Sequence, residues 1–100
     1  LNDWTQAERL AEQLRTEYPP GTRIELNYMN DSYAVPPGTR GTVHHVDDGA
    51  HIHMRWDNHR TLPLVPGTDS FRKLTEQELA EEKSEQVPEE STNDIKMGGI

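Results

Sequence analysis

Five histidines, His44, His45, His51, His53 and His59, fall in one short stretch around Asp48-Gly49. Asp-Gly between two apolar-rich runs is a two-residue hairpin signal, because both turn positions need positive φ. That turn pairs residue 47 with 50, 46 with 51, 45 with 52, 44 with 53 and 43 with 54. His44 then stands opposite His53 on the outer face with His51 two residues along, so three imidazoles come within reach of one metal ion. Val43, His45, Ile52, Met54 and Trp56 share the opposite, apolar face. The competing reading is a solvated polar face, since a slip of one residue disperses the set. Five imidazoles titrating near ~6.5 also offer a pH-dependent charge.

Other chemistry is thinner. Asp47, Asp48 and Asp57 sit where turns already account for them, and the chain has no cysteine, Gly-x-Ser-x-Gly, Walker loop or His-Glu-x-x-His. A general acid and base also need a sheltered cleft, which so small a domain rarely supplies. A non-enzyme with no cofactor is therefore expected. The better site candidate is a binding surface: Asn30, Asp31 and Tyr33 on a polar loop beside Tyr28, with Asp57 and Asn58 on the turn after Trp56. Tyrosine and tryptophan give rigid contact area at modest entropic cost. Arg40, Arg55 and Arg60, with Arg23, stand around these loops, where they could meet phosphates. The plainer alternative makes Tyr28 and Trp56 core residues and Asp31 a loop cap.

The elements that must position these groups follow from periodicity. Trp4, Ala7, Leu10, Ala11, Leu14 and Tyr18 recur at steps of three and four, which predicts a helix over 4–17, with Asp3 and Gln6 as a capping box. Trp4, Leu10 and Leu14 should lie on the sheet that follows. From Thr22 the period becomes two, with Ile24, Leu26 and Tyr28 on the buried face. After a loop over 29–38, strands are expected at 42–47, 50–56, 61–65 and 71–74. Five short strands suggest a small barrel over 21–74. Pro19-Pro20-Gly21-Thr22-Arg23 recurs as Pro36-Pro37-Gly38-Thr39-Arg40, and Pro66-Gly67-Thr68 echoes it; this is turn punctuation rather than a repeat unit. Thr75 with Glu78 forms a capping box inside a Leu74–Leu79 staple, which starts a short acidic helix over 75–85. From about 86 onward too few apolar residues remain to offset chain entropy, and a disordered acidic tail is expected.

Composition sets the scale. The chain has 100 residues, 31% of them hydrophobic, with 10 Lys+Arg against 18 Asp+Glu, and a mean hydropathy of −0.96. One small core is all this can build. The charge of −8 is unevenly spread: residues 1–20 hold 4 acids and 2 bases, residues 75–100 hold 8 and 2, and the middle 6 and 6. An acidic chain is a poor generic binder of phosphate backbones, although a local basic face on the middle is allowed. No apolar run is long enough for a bilayer. The start at Leu1 reads as a processed or trimmed end without a signal-peptide pattern. A soluble, cytoplasmic monomer with no membrane contact is expected.

Arg40-Gly41-Thr42-Val43, Val46-Asp47-Asp48, Ile52-His53, Trp56-Asp57-Asn58 and Pro66-Gly67, with Met29-Asn30-Asp31 and Tyr33 ahead of them, together resemble a small bacterial and bacteriophage family known as a domain of unknown function. The resemblance covers about residues 20–74 and implies a compact SH3-like barrel, with no established activity. The Gly-Thr-Val entry and Trp-Asp-Asn turn are also similar to barrel modules of the KOW and Mind-bomb type, which bind nucleic acid or protein; that likeness is one of fold. His59-Arg60 departs from the pattern, where glycine is expected after Trp-Asp-Asn, and leaves Asn58 to take the left-handed conformation. The resulting expectation is a non-catalytic protein-interaction accessory module with an unidentified partner. The alternative is a nucleic-acid-binding, KOW-like barrel.

Overall fold

The computed structural model describes residues 3–86. The elements run α1 (Asp3–Glu17), β1 (Arg23–Tyr28), β2 (Arg40–Val46), β3 (Ile52–Trp56), β4 (Ser70–Lys73) and α2 (Glu76–Gln86). The strands form one antiparallel sheet in the order β3-β2-β1-β4. The expected disorder from residue 86, the cap at Asp3 and the contact of Trp4 lie outside the described residues and side chains.

The sheet is open and four-stranded, which corrects the expected five-stranded barrel. The segment over 61–65 pairs with β3 by a single bridge at Leu64, whose N–H and C=O exchange hydrogen bonds with Ile52 at 2.8 and 3.0 Å. Two local facts stop the ladder there. Pro63 has no N–H to donate, and the Leu62 carbonyl accepts the Trp56 indole N–H at 2.8 Å.

Among the described residues fourteen apolar ones are buried, including Ile24 and Leu26 from β1, Val43 and Val46 from β2, and Ile52, Met54 and Trp56 from β3. Val35 and Leu64 complete the centre, and α1 lays Ala11 and Leu14 onto it. Leu10, expected on the sheet, is 41% exposed. Tyr18 at the end of α1 instead meets Phe71 edge-on at 5.6 Å. The three Pro-Gly turns behave as punctuation: Gly21, Gly38 and Gly67 all have φ near +90°, a region open to glycine at no steric cost.

Two bulges move side chains across the sheet. Between β2 and β3 the register runs Val43↔Met54 and then His45↔His53, so His44 is the extra residue. Val46 enters the core, and His45, expected on the apolar face, is exposed. Between β1 and β4 the register runs Leu26↔Phe71 and then Tyr28↔Ser70. Tyr28 is thereby turned out, 57% exposed, and Met29 turned in. The hairpin turn differs too: Ala50, at φ 66°, carries the left-handed conformation in a three-residue connection, where Asp48-Gly49 was expected to do so.

Gly41 is the tightest point. A Cβ there would stand 2.8 Å from Trp56 Cε3 and 3.0 Å from the backbone at Arg55 and Trp56. The absent side chain is what lets the indole lie on β2. Gly41→Ala should destabilise the domain by about 1–3 kcal/mol through overpacking, read as a lower urea midpoint with unchanged slope; an unaltered midpoint would contradict the packing described.

Candidate functional site

The first candidate cluster, on the β2–β3 hairpin, holds a different set of imidazoles from the expected one. His45 and His53 stack with ring centroids 4.4 Å apart and planes within 4°, and the bulge turns His44 against His45, Nδ1 to Nδ1 at 2.6 Å. One of those nitrogens must carry the proton the other accepts. His53 Nε2 donates to Asp47 Oδ2 at 2.7 Å, and His51 lies 3.8 Å from the same carboxylate. Parallel stacked rings aim their in-plane lone pairs side by side rather than at a common point. Among the described residues no three His, Asp or Glu groups are placed to hold an ion, so the expected metal set, His44, His51 and His53, does not assemble.

Asp47 organises this turn. Its Oδ1 accepts the Gly49 and His51 amides at 3.0 and 2.9 Å. Partial burial works to raise its pKa, yet the His51 amide and the imidazoles of His53 and His51 outweigh it and hold the carboxyl below its ordinary value. Desolvation lowers the pKa of His45, and the neighbouring His53 and His44, with Arg15 beyond them, add to the effect against Asp47. Arg15 ties α1 to the hairpin through the Val46 carbonyl and Asp48.

The second cluster is the loop after β1. Asp31 Oδ1 accepts the Tyr33 amide at 2.7 Å and its carbonyl accepts Ala34, an Asx-type turn. The Asn30 amide donates to Asp69 Oδ1 at 3.0 Å, while Asp69 Oδ2 accepts Val65 N–H. Arg60 reaches across to donate to the Tyr33 carbonyl. Asn58 Oδ1 accepts the Arg60 amide at 3.0 Å. His59, at φ 73°, takes the left-handed position expected of Asn58. Asn30, Asp31, Tyr33, Asn58 and Arg60 are thus held on two linked loops, with Tyr28 at the end of β1 where the first loop begins. Tyr33 is 77% exposed, whereas Trp56 is core.

Arg40 and Asp57 belong elsewhere. Register places Arg23, Glu25, Arg40, Thr42, Arg55 and Arg72 on the outer face of the sheet. Arg23 grips Asp57 with two hydrogen bonds at 2.8 and 2.7 Å, which holds that carboxyl below its usual range. Arg40 binds Glu25 at 2.9 Å and reaches Glu78 and Glu82 of α2 at 3.3 Å. Arg72 binds Glu78 in two-pronged fashion at 2.8 Å. This network was missed because its acids come from a helix 36 or more residues from Arg40 in sequence; the helix's capping box was legible, but the face it lies on was not. Arg55 has no carboxylate partner among the described residues. With Thr61 it lines two adjoining depressions of about 270 and 250 Å³, whose other walls are His44, His45, His53 and Met54 on one side and Trp56, His59 and Arg60 on the other.

Residues 7–74 match the family model described as a domain of unknown function (DUF4314), and the chain belongs to that family. No curated protein matches the chain.

The imidazole stack sets a pH dependence. His45 resists protonation in the folded state, so the unfolded chain binds the extra proton, and stability is lost as pH falls below ~6.5 toward the lowered folded-state value. The urea midpoint should drop between about pH 7.5 and 5.5, and His45→Gln should flatten the slope; an unchanged slope in that variant would refute the assignment.

Proposed function

We propose that this domain is a non-catalytic protein-interaction module, acting as a single-copy accessory domain in the cytoplasm of a bacterium or in a phage-infected cell. The proposal includes an SH3-like relationship, in the sense of short antiparallel strands joined by one long loop and tight turns. The observation that carries it is the pair of exposed tyrosines, Tyr28 at the end of β1 and Tyr33 on the loop that follows, whose backbone is fixed by Asp31, Asp69 and Arg60. An aromatic side chain held out on an ordered loop is costly in exposed apolar area and gives a partner a preorganised anchor. The carboxylates that a hydrolytic reading would use are engaged: Asp47 with its turn amides and His53, Asp48 with Arg15, Asp57 with Arg23. Among the described residues, no helix is long and apolar enough to cross a membrane.

A nucleic-acid reading is favoured by one observation, the two depressions around Arg55, lined by Arg60 and four histidines and by no carboxylate. Arg23 and Arg40, which that reading also needs, are already neutralised by Asp57, Glu25 and Glu82. Protein interaction therefore stands first.

A peptide selected from a displayed random library against the full chain should shift amides over 29–35 and 57–60. It should bind at least ~10-fold more weakly, about 1.4 kcal/mol, to a Tyr28→Ser/Tyr33→Ser variant. Equal binding to the variant would sink the reading. Salt-sensitive shifts at Arg55 and Arg60 on adding a short oligonucleotide would put the nucleic-acid reading in its place.

A further inference from the structure

Helix α2 is docked in an unusual way. Of its residues from Glu76 to Glu85, the two that are half-buried are Glu78 and Glu82, and every other one is exposed. Leu79, its one large apolar side chain, is 38% exposed. The inward face of this helix is thus a pair of carboxylates one turn apart. A surface helix ordinarily lays an apolar stripe on its neighbour, as α1 does with Ala11 and Leu14. In α2 the contact is made by charge: Glu82 is gripped by Arg23 through two hydrogen bonds at 3.0 and 2.7 Å, Glu78 by Arg72, and both touch Arg40. Arg72 and the Thr75 amide hold Glu78 at about 2, and Arg23 holds Glu82 below its ordinary range.

Without α2, the outer face of the sheet would present Arg23, Arg40, Arg55 and Arg72 against only Glu25 and Asp57. Such a face needs acidic cover, and paired guanidinium forks read carboxylates with geometric specificity. The occupant it has is incomplete, since Arg55 lies on the same face without a carboxylate partner among the described residues. Beside it a cleft of about 560 Å³, lined by Arg23, Thr42, Asp57, Leu79, Glu82 and Lys83, separates helix from sheet. Ion pairs at this degree of exposure are individually weak and screened by salt. The start of the helix is fixed, by buried Leu74 and the reciprocal Thr75–Glu78 cap at 3.0 and 2.8 Å, so the rest can swing about that point.

We propose that the outer face of the sheet is a receptor for an acidic protein helix bearing carboxylates one turn apart, and that α2 occupies it in cis as a displaceable lid. The surface is separate from the tyrosine loop, so the two proposals stand or fall independently. A competing helix succeeds by placing a further acid on Arg55, which α2 leaves unpaired.

The test uses the full chain carrying Glu78→Gln/Glu82→Gln. Glutamine preserves the capping box while removing the charges. The probe is a synthetic peptide of residues 76–86, followed through the Arg Nε–H signals in NMR spectra. The expected result is at least tenfold tighter binding to the variant than to the parent chain, with shifts at Arg23, Arg40 and Arg72. The same peptide with glutamine at both positions should be inert. No binding to the variant, or equal binding of the glutamine peptide, would overturn the proposal. So would displacement of the peptide by a lower concentration of pyrophosphate or a short duplex, which would make the face a phosphate reader. Should the double variant not fold, Glu82→Gln alone is judged by the same peptide comparison.

Discussion

One apolar layer has to hold this domain together, and it suffices for one face of the sheet only. The buried set gathers from α1, the inner sides of β1 to β3, and the loop residues Met29, Val35 and Leu64. With 31% hydrophobic residues there is no second set for the opposite face. That face carries Arg23, Glu25, Arg40, Arg55 and Arg72, and its cover comes from carboxylates on α2 and on the turn after β3. Burial of apolar area is non-directional and tolerant of salt, whereas exposed ion pairs are directional and weak. The two sides of one sheet therefore differ in what opens them.

The same economy explains the loops. Three connections are each closed by a single polar residue acting across them. Asp47 serves the β2–β3 turn and His53, Asp69 serves the loop after β1 and the turn before β4, and Arg60 bridges the turn after β3 to Tyr33. What remains outside after these assignments is a short set: Tyr28, Tyr33, Arg55 and the imidazole stack.

Both helices, the four strands and the Pro-Gly turns were legible in the sequence because each is a local property: period, cap or φ requirement. The bulges were not. An extra residue at His44 or before Tyr28 leaves the alternation of types almost unchanged, yet it decides which face each later residue meets. That is why His45 and Tyr28 were assigned inward and Val46 was overlooked, and why the imidazole set was drawn with His51 rather than His45. The missing fifth strand was half legible, since Pro63 forbids a continuous ladder; the diversion of the Leu62 carbonyl to Trp56 is tertiary. Among the candidate binding residues, the structure brings Asn30, Asp31, Tyr33, Asn58 and Arg60 together, and their turn-forming types were readable from the sequence. Arg40 and Asp57 were misplaced with it, because their partners are remote in sequence.

The central claim, that the apolar layer fastens one side of the sheet and charge the other, is tested most directly by residue-resolved amide hydrogen exchange at low and high salt. The account predicts that Ile24, Leu26, Val43 and Met54 exchange only by global unfolding at either salt concentration, while the amides from Leu79 to Glu82 lose protection as salt is raised. Exchange of α2 together with the sheet at both salt concentrations would contradict it, and would mean that the helix is part of the same cooperative unit as the core.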